Sequence, residues 1–413
     1  MADFASTPKP GSAMAARIHQ IVLGDIDMST GRLDKPADPF WQKLAATGTD
    51  LWLDTGDMDA ASELYTDEFS ALTTNNTLLN AEVQKGIYDD LIAESAKLLT
   101  ELDDETKVIE IAFILNARHG LRLAQRFGGK VSVELHTALS HDIERTVAYG
   151  LRYFLICPEH FIVKVPLTAA GLIATRRLRE YGVPINFTLG FSARQNFLAA
   201  HLAKPNWTNV FLGRLNAYIK DNGLGDGNDV GEKATLASQR AMREVSATRK
   251  QPTWQIAASM RGAANVTDLA GLDVYTMPVK VAAAAKAELD GSFADQTAND
   301  PAVTVADGCR AETIWSISDA DRTFAASVRK NVPETGDELI ERAHAAGVGD
   351  LFPRFSAEDH AHIASDGKIP KHSRWAPRVA AGEVSIETLL NLAGLASFTG
   401  DQKALDDRIR GLI

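Results

Sequence analysis

The sequence predicts an α/β fold, a (β/α)8 TIM barrel with a helical C-terminal extension. Three observations predict it. Short apolar, β-branched runs alternate with helical segments eight times between residues 51 and 278, a span that suits a closed barrel of about 250 residues. Polar residues recur where those runs stop, at Asp54, Asn75, Glu134, Lys164, Thr188, Arg214 and Arg261, and the C-terminal ends of barrel strands are where such folds keep their chemistry. Beyond Pro278 the strand pattern ceases and helical patterns continue. A doubly wound open sheet is the rival fold, but no GxGxxG follows the first strand, so it lacks its usual signature.

Taken in order, residues 1–24 read as a flexible, Ala/Ser/Pro-rich lead-in and a first helix from Arg17 to Leu23. Residues 25–290 form the barrel domain. Its strands are predicted at Leu51–Asp54, Ala71–Thr74, Val131–Leu135, Phe161–Pro166, Pro184–Leu189, Asn209–Arg214, Trp254–Met260 and Asp273–Pro278. Helices are expected at Ala81–Glu101, Asp104–Phe127, Ser140–Leu151, Ala169–Tyr181, Ala193–Leu202 and Glu232–Thr248, while Tyr153–Cys157 reads as extending or preceding the Lys164 strand. The Asn/Asp/Gly-rich segment Asn216–Gly231 reads as a loop on the active face. Residues 291–413 are assigned to an extension that packs on the barrel, covers its mouth or mediates self-association, with helices in Pro301–Val332, after the Thr335–Glu338 capping box, and from Ile386 to Ala396.

Composition narrows the function. A net charge of −11 over 413 residues argues against a nucleic-acid or anionic-membrane surface, though not against a local basic pocket for a small phosphate. Two cysteines, Cys157 and Cys309, form no disulfide framework, which fits a reducing, cytoplasmic setting. The longest apolar region, Val147–Ala174, is broken by Arg152, Glu159, His160 and Lys164 and is no membrane span. His360 and His362 lack further ligands at metal-binding spacing, so no metal site is expected.

Lys164 is the conspicuous residue. It interrupts Phe161-Ile162-Val163-Lys164-Val165-Pro166, a run otherwise typical of a buried parallel strand. Lysine is seldom buried unless paired or neutralised, and the neutral amine is the nucleophile that forms Schiff bases. A snorkelling edge lysine is the alternative for this hexamer alone.

The strand ends together resemble the transaldolase family. The motifs are Leu51–Asp54, Thr73-Thr74-Asn75-Asn76-Thr77-Leu78, Val131–Glu134, Ile162–Pro166, Asn186-Phe187-Thr188-Leu189-Gly190-Phe191-Ser192, Phe211-Leu212-Gly213-Arg214 and Ala258-Ser259-Met260-Arg261. The resemblance implies transfer of a dihydroxyacetone unit from a ketose phosphate to an aldose phosphate, with neither cofactor nor metal. It makes Lys164 the Schiff-base nucleophile and Asp54 the acid–base that serves the aldehyde hydroxyl. Glu134 and Thr188 would position a water. Asn75 and Asn186 would hold the dihydroxyacetone hydroxyls, and Arg214 and Arg261 would grip the phosphate with forked donors. Ser192, Asn209 and Phe211 complete the implied substrate-binding set, although a helix-cap role suits Ser192 better.

Three positions depart from the family pattern: Asn76 stands for its Pro, Asn209 for a Ser and Gly262 for an Asn. A fructose-6-phosphate aldolase, which releases free dihydroxyacetone, would carry Tyr at 211 and Gln at 134, where this chain has Phe211 and Glu134. A non-catalytic sugar-phosphate-binding or scaffold protein is the rival of another class, and the joint presence of Lys164, Asp54 and Glu134 argues against it. The implied partners are small sugar phosphates, with a homo-oligomer as the expected assembly.

Overall fold

A computed structural model describes residues 7–413; the first six residues of the lead-in lie outside the described residues. Helix α1 (Ala13–Leu23) begins before the expected Arg17, capped by the Ser12 hydroxyl, and α2 (Pro39–Ala45) precedes the first strand. Eight strands then close into one parallel barrel in sequence order. They are β1 (Asp50–Asp54), β2 (Phe69–Thr73), β3 (Lys130–Glu134), β4 (Phe161–Pro166), β5 (Ile185–Thr188), β6 (Trp207–Phe211), β7 (Trp254–Ala258) and β8 (Val274–Pro278), with β8 pairing back onto β1.

Between strands run α3 (Met58–Ser62), α4 (Asn76–Gln84), α5 (Asp89–Leu98), α6 (Asp104–Phe127), α7 (Ile143–Ile156), α8 (Ala169–Glu180), α9 (Ala193–Leu202), α10 (Leu212–Asp221), α11 (Val230–Ser246) and α12 (Ala264–Asp268). After β8 come α13 (Val279–Glu288), α14 (Glu312–Trp315), α15 (Asp319–Lys330), α16 (Gly336–Ala345), α17 (Ala357–Asp366), α18 (His372–Ala380) and the long α19 (Ile386–Arg410). No helix among the described residues is long and apolar enough to cross a membrane.

Strand alternation builds the barrel. Side chains one apart point to opposite faces, so Leu51, Leu53, Val131, Val133, Val163, Val165 and Phe187 pack outward under the helices. Trp52, Ala71, Ile162, Ile256, Ala258 and Val274 fill the interior with Trp207 and Phe211. Trp52 and Trp207 meet edge-on there, 5.2 Å between ring centroids, which closes the barrel below the active level.

Four further boundaries differ from the sequence reading. The expected helix Ala81–Glu101 is two helices, α4 and α5, parted where Gly86 adopts φ +82°. Tyr153–Ile156 completes α7, with Tyr153 and Ile156 buried and Leu155 facing solvent. The sixth strand stops at Phe211 and α10 starts at Leu212 with no linker, so Arg214 stands in a first helical turn and the expected loop at 216–231 shrinks to 222–229. The nearest Gly, Gly213, falls inside the helix instead of before it, so the change of period is not marked where it occurs. Finally, α19 runs on to Arg410 rather than ending at Ala396.

A buried ion network ties the extension to the barrel. Arg194, in the first turn of α9, is 5% exposed; its Nε donates to Glu387 of α19 at 2.6 Å and its terminal nitrogens to Asp350 at 2.8 and 3.1 Å. Asp321 of α15 lies 3.7 Å away. Three carboxylates around one guanidinium are tolerable only while that cation is present, because each desolvated charge needs a partner. Arg194→Ala should therefore lower the unfolding free energy by about 3–5 kcal/mol in urea denaturation; a loss below about 1 kcal/mol, the range of a surface pair, would contradict a structural role for the network.

Candidate active site

Register decides which side chains meet. Glu134 on β3 lies level with Lys164 on β4, and Lys164 with Asn186 on β5. Because Ile162 points into the barrel, Lys164 two residues on does too, one layer nearer the C-terminal mouth. Its ammonium is 5% exposed, donates to the Thr74 carbonyl at 3.1 Å and lies 3.5 Å from Glu134 Oε2. An unpaired ion at this depth would carry a penalty of several kcal/mol, so these contacts are what let the sequence keep a lysine here.

Asp54 ends β1 and accepts a hydrogen bond from the Thr73 hydroxyl at 2.7 Å, and Thr73 in turn meets Thr276 across the mouth at 2.5 Å. Burial raises the carboxyls of both Asp54 and Glu134 above their ordinary range, with Lys164 as the largest opposing influence on each. Two carboxyls with raised proton affinity around one amine form a set that can exchange protons with each other and with a bound substrate. The main-chain N–H of Asn76 also favours the ionised form of Glu134. A Pro at position 76, as in the motif this segment resembles, could not supply it.

The neutral amides form a chain. Asn209 donates to Asn186 at 2.7 Å, and Asn186 donates to the Ser132 hydroxyl at 3.0 Å, which fixes both rotamers along the interior wall. Asn75 caps α4 through its side-chain oxygen, bound by the Leu78 N–H at 2.9 Å, while also lining the mouth. Glu134 Oε2, Thr188 Oγ1, Asn209 Oδ1 and Arg214 Nη1 are buried with no hydrogen-bond partner among the described residues. Other buried atoms in the chain also lack a partner; these four are grouped at the C-terminal end of the barrel around Lys164.

These groups surround a cavity of about 230 Å³ lined by Asp54, Asn75, Lys164, Asn186, Asn209, Phe211, Arg214 and Arg261, among others. Arg214 is 6% exposed, and burial followed by the like charge of Arg261 pushes it down to about 10. Among the described residues no carboxylate forms an ion pair with Arg214 or Arg261. Two adjacent guanidiniums held in no direct ion pair, opposed only by the more distant charges of Asp401 and Asp54, are a receptor for an anion, and their forked donors suit phosphate. Glu134 and Thr188 are not on the cavity lining; Glu134 faces Lys164 Nζ, and Thr188 lies level with Pro166 on β4. Ser192 does not line it either: its hydroxyl caps α9 by accepting from the Gln195 N–H, the helix-cap role its position also suits.

Residues that sequence reading did not assign also reach the cavity. Phe398 of α19 sets its ring 5.8 Å from Lys164 Nζ and 5.8 Å from the Arg214 guanidinium, and Lys368, in the turn after α17, lines the outer rim. Gly394 lets α19 approach: a Cβ there would come within 2.8 Å of Leu189 and 3.2 Å of Arg214 Nη1. Asn391 donates to the Leu167 and Leu189 carbonyls at 3.0 and 2.8 Å, and Asp401 accepts from Thr77. Nothing local in those residues marks them, since they reach the site only through the tertiary path of the extension. His360 and His362 lie on α17, away from this cavity, and among the described residues no three His, Cys, Asp or Glu side chains are grouped to hold a metal ion.

Comparison with known proteins adds the following. Residues 51–330 match the family described as Transaldolase/Fructose-6-phosphate aldolase. The chain is similar to a protein named transaldolase from Xanthomonas euvesicatoria pv. vesicatoria, 30% identical over 233 residues that cover 54% of this chain and 71% of that protein. A protein named probable transaldolase from Thermus thermophilus is 34% identical over 232 residues, 55% of this chain and 86% of its own length. A transaldolase from Xanthomonas oryzae pv. oryzae is 28% identical over 233 residues.

The raised carboxyl of Asp54 makes a stability prediction whose sign is fixed. A carboxyl that holds its proton more tightly folded than unfolded opposes folding once it ionises; the penalty is present at neutral pH and vanishes as pH falls through the unfolded value of about 3.9. Asp54→Asn keeps an acceptor for Thr73 and removes the buried charge. It should raise the melting temperature at neutral pH, with the gain fading on acidification; an unchanged or lower value at neutral pH would contradict the electrostatic assignment.

Proposed function

The chain belongs to the transaldolase/fructose-6-phosphate aldolase family, and from that premise we propose that it is a transaldolase. It moves a dihydroxyacetone unit from sedoheptulose 7-phosphate or fructose 6-phosphate to glyceraldehyde 3-phosphate or erythrose 4-phosphate, through a Schiff base on Lys164. The observation that carries this reading is the buried Lys164 amine between Glu134 and the Thr74 carbonyl, under two unpaired guanidiniums.

In this reading Lys164 Nζ, as free amine, adds to the ketose carbonyl, and loss of water from the carbinolamine gives an iminium. A water held by Glu134 and Thr188, whose Oε2 and Oγ1 make no hydrogen bond among the described residues, relays the protons of those two steps. Asp54 takes the proton of the hydroxyl beta to the iminium carbon; the carbon–carbon bond breaks, its electrons pass into an enamine, and the aldose phosphate departs. The enamine then attacks the acceptor aldehyde, Asp54 returns the proton to the new hydroxyl, and water releases the product. Asn75, Asn186 and Asn209 hold the dihydroxyacetone hydroxyls. Phe211 and Phe398 flank Arg214 and keep the phosphate site dry, which strengthens its ionic contacts. A place in the pentose phosphate pathway, a cytoplasmic location, a homo-oligomeric state and a domain division near residue 290 belong to the same reading.

Transfer is favoured over simple aldol cleavage because Glu134 and Phe211 stand where the aldolase branch is expected to carry Gln and Tyr. The test is product analysis. With fructose 6-phosphate and erythrose 4-phosphate the protein should yield glyceraldehyde 3-phosphate and sedoheptulose 7-phosphate, and without acceptor it should release no free dihydroxyacetone in steady state. Lys164→Ala should abolish turnover, and Asp54→Asn should lower it by about 10²–10⁴-fold. Sustained dihydroxyacetone release would select the aldolase activity instead, and an active Lys164→Ala variant would overturn both.

A further inference from the structure

A concentration of unbalanced positive charge lies at the other end of the barrel. Arg176, Arg179, Lys204, Arg249, Lys250 and Arg329 line a cleft of about 470 Å³ with Glu180 and Gln251. These residues sit at or just past the C-terminal ends of α8, α9, α11 and α15, which places the cleft beneath the N-terminal ends of β5, β6 and β7, opposite the mouth. Cations in last helical turns are ordinary complements to the helix dipole, and the magnitudes decide whether that explains these. Four helix ends supply about half a negative charge each, and Glu180 supplies one more, already paired with Arg176 at 2.9 Å. Six cations therefore keep an excess of about three positive charges, in a chain whose net charge is −11.

The cleft has a built wall. Arg176 donates to the Leu202 carbonyl at 3.2 Å, Arg179 to the Lys204 and Val183 carbonyls at 3.1 and 2.8 Å, and Arg249 to the Ala200 carbonyl at 2.6 Å. Arg179 also holds Gln251 at 2.7 Å. Their guanidiniums are thus fixed before any ligand arrives, which lowers the ordering cost of binding. Lys204 is held in the left-handed region at φ +54°, an uncommon conformation for a residue with a side chain. Arg249 Nη2 is buried without a partner among the described residues. Burial, then the neighbouring cations, lowers the proton affinity of Lys204 and pushes Arg249 down to about 10.

We propose that this cleft is a second binding site, for a small soluble molecule carrying two or more phosphate groups, separate from the catalytic mouth. Its charge excess requires a multivalent anion, its preset guanidinium forks match phosphate oxygens, and its volume exceeds that of a single phosphate. The site does not depend on the catalytic reading above.

Lys250 and Arg329 make no hydrogen bond or ion pair among the described residues, so Lys250→Gln with Arg329→Gln removes charge without touching a structural contact. Calorimetric titration with pyrophosphate on the full chain, at constant ionic strength set by sodium chloride, is the test. An Arg261→Gln background disables anion binding at the mouth. In that background pyrophosphate should still bind at one saturable site, and the double variant should weaken it at least about tenfold. Placed in the wild-type background, the double variant should leave fructose 6-phosphate turnover unchanged. Pyrophosphate binding that survives the double variant, or that disappears with Arg261→Gln, would overturn the proposal, as would an equal response to added chloride.

Discussion

Everything at the mouth depends on keeping a lysine amine inside a parallel barrel. Alternation along β4 sends Val163 and Val165 outward and Ile162 and Lys164 inward, and the parallel register sets Glu134 and Asn186 beside it. A carboxylate 3.5 Å away and a carbonyl at 3.1 Å offset desolvation without burying the amine in a rigid salt bridge. The same burial that makes Lys164 depend on its contacts raises the carboxyls of Asp54 and Glu134, so one constraint, exclusion of water from the barrel end, acts on both carboxyls.

The extension is part of this constraint. Were α19 removed, Phe398 would no longer cover Lys164 and Arg214, and water would reach both. Holding α19 in place requires the Arg194 network at one end, the Asn391 bonds and Gly394 contact at the crossing, and the pairing of Arg408 with Asp89 on α5 at 2.7 Å near its end. The family match stops at residue 330, yet Lys368 and Phe398 lie beyond it and line the cavity. Part of this site is therefore built from residues beyond that match.

What was legible in the sequence follows from where its physical signals are local. Strands alternate over two residues, so the barrel and the level of Asp54, Glu134, Lys164 and Asn186 could be read from short stretches. Arg214 was legible as a cation near a strand end but not as a helical residue, because α10 begins directly after the last strand residue and its Gly213 lies inside the helix. Ser192 shows the converse: a hydroxyl in a recognised motif, facing the α9 backbone instead of the cavity. Phe398 and Lys368 were not legible as site residues, since a distance of more than 200 residues along the chain separates them from Lys164 only in sequence. Unpaired groups such as Arg214 Nη1 and Thr188 Oγ1 are likewise properties of packing alone.

The central claim is that the Lys164 amine forms the covalent bond to the ketose. Borohydride reduction in the presence of fructose 6-phosphate, followed by intact mass and peptide mapping, tests it most directly. The account predicts a dihydroxyacetone-sized adduct on the peptide carrying Lys164, absent from Lys164→Ala and diminished when erythrose 4-phosphate is added before the reductant. An adduct on another lysine, or none with any ketose phosphate that the protein turns over, would contradict it.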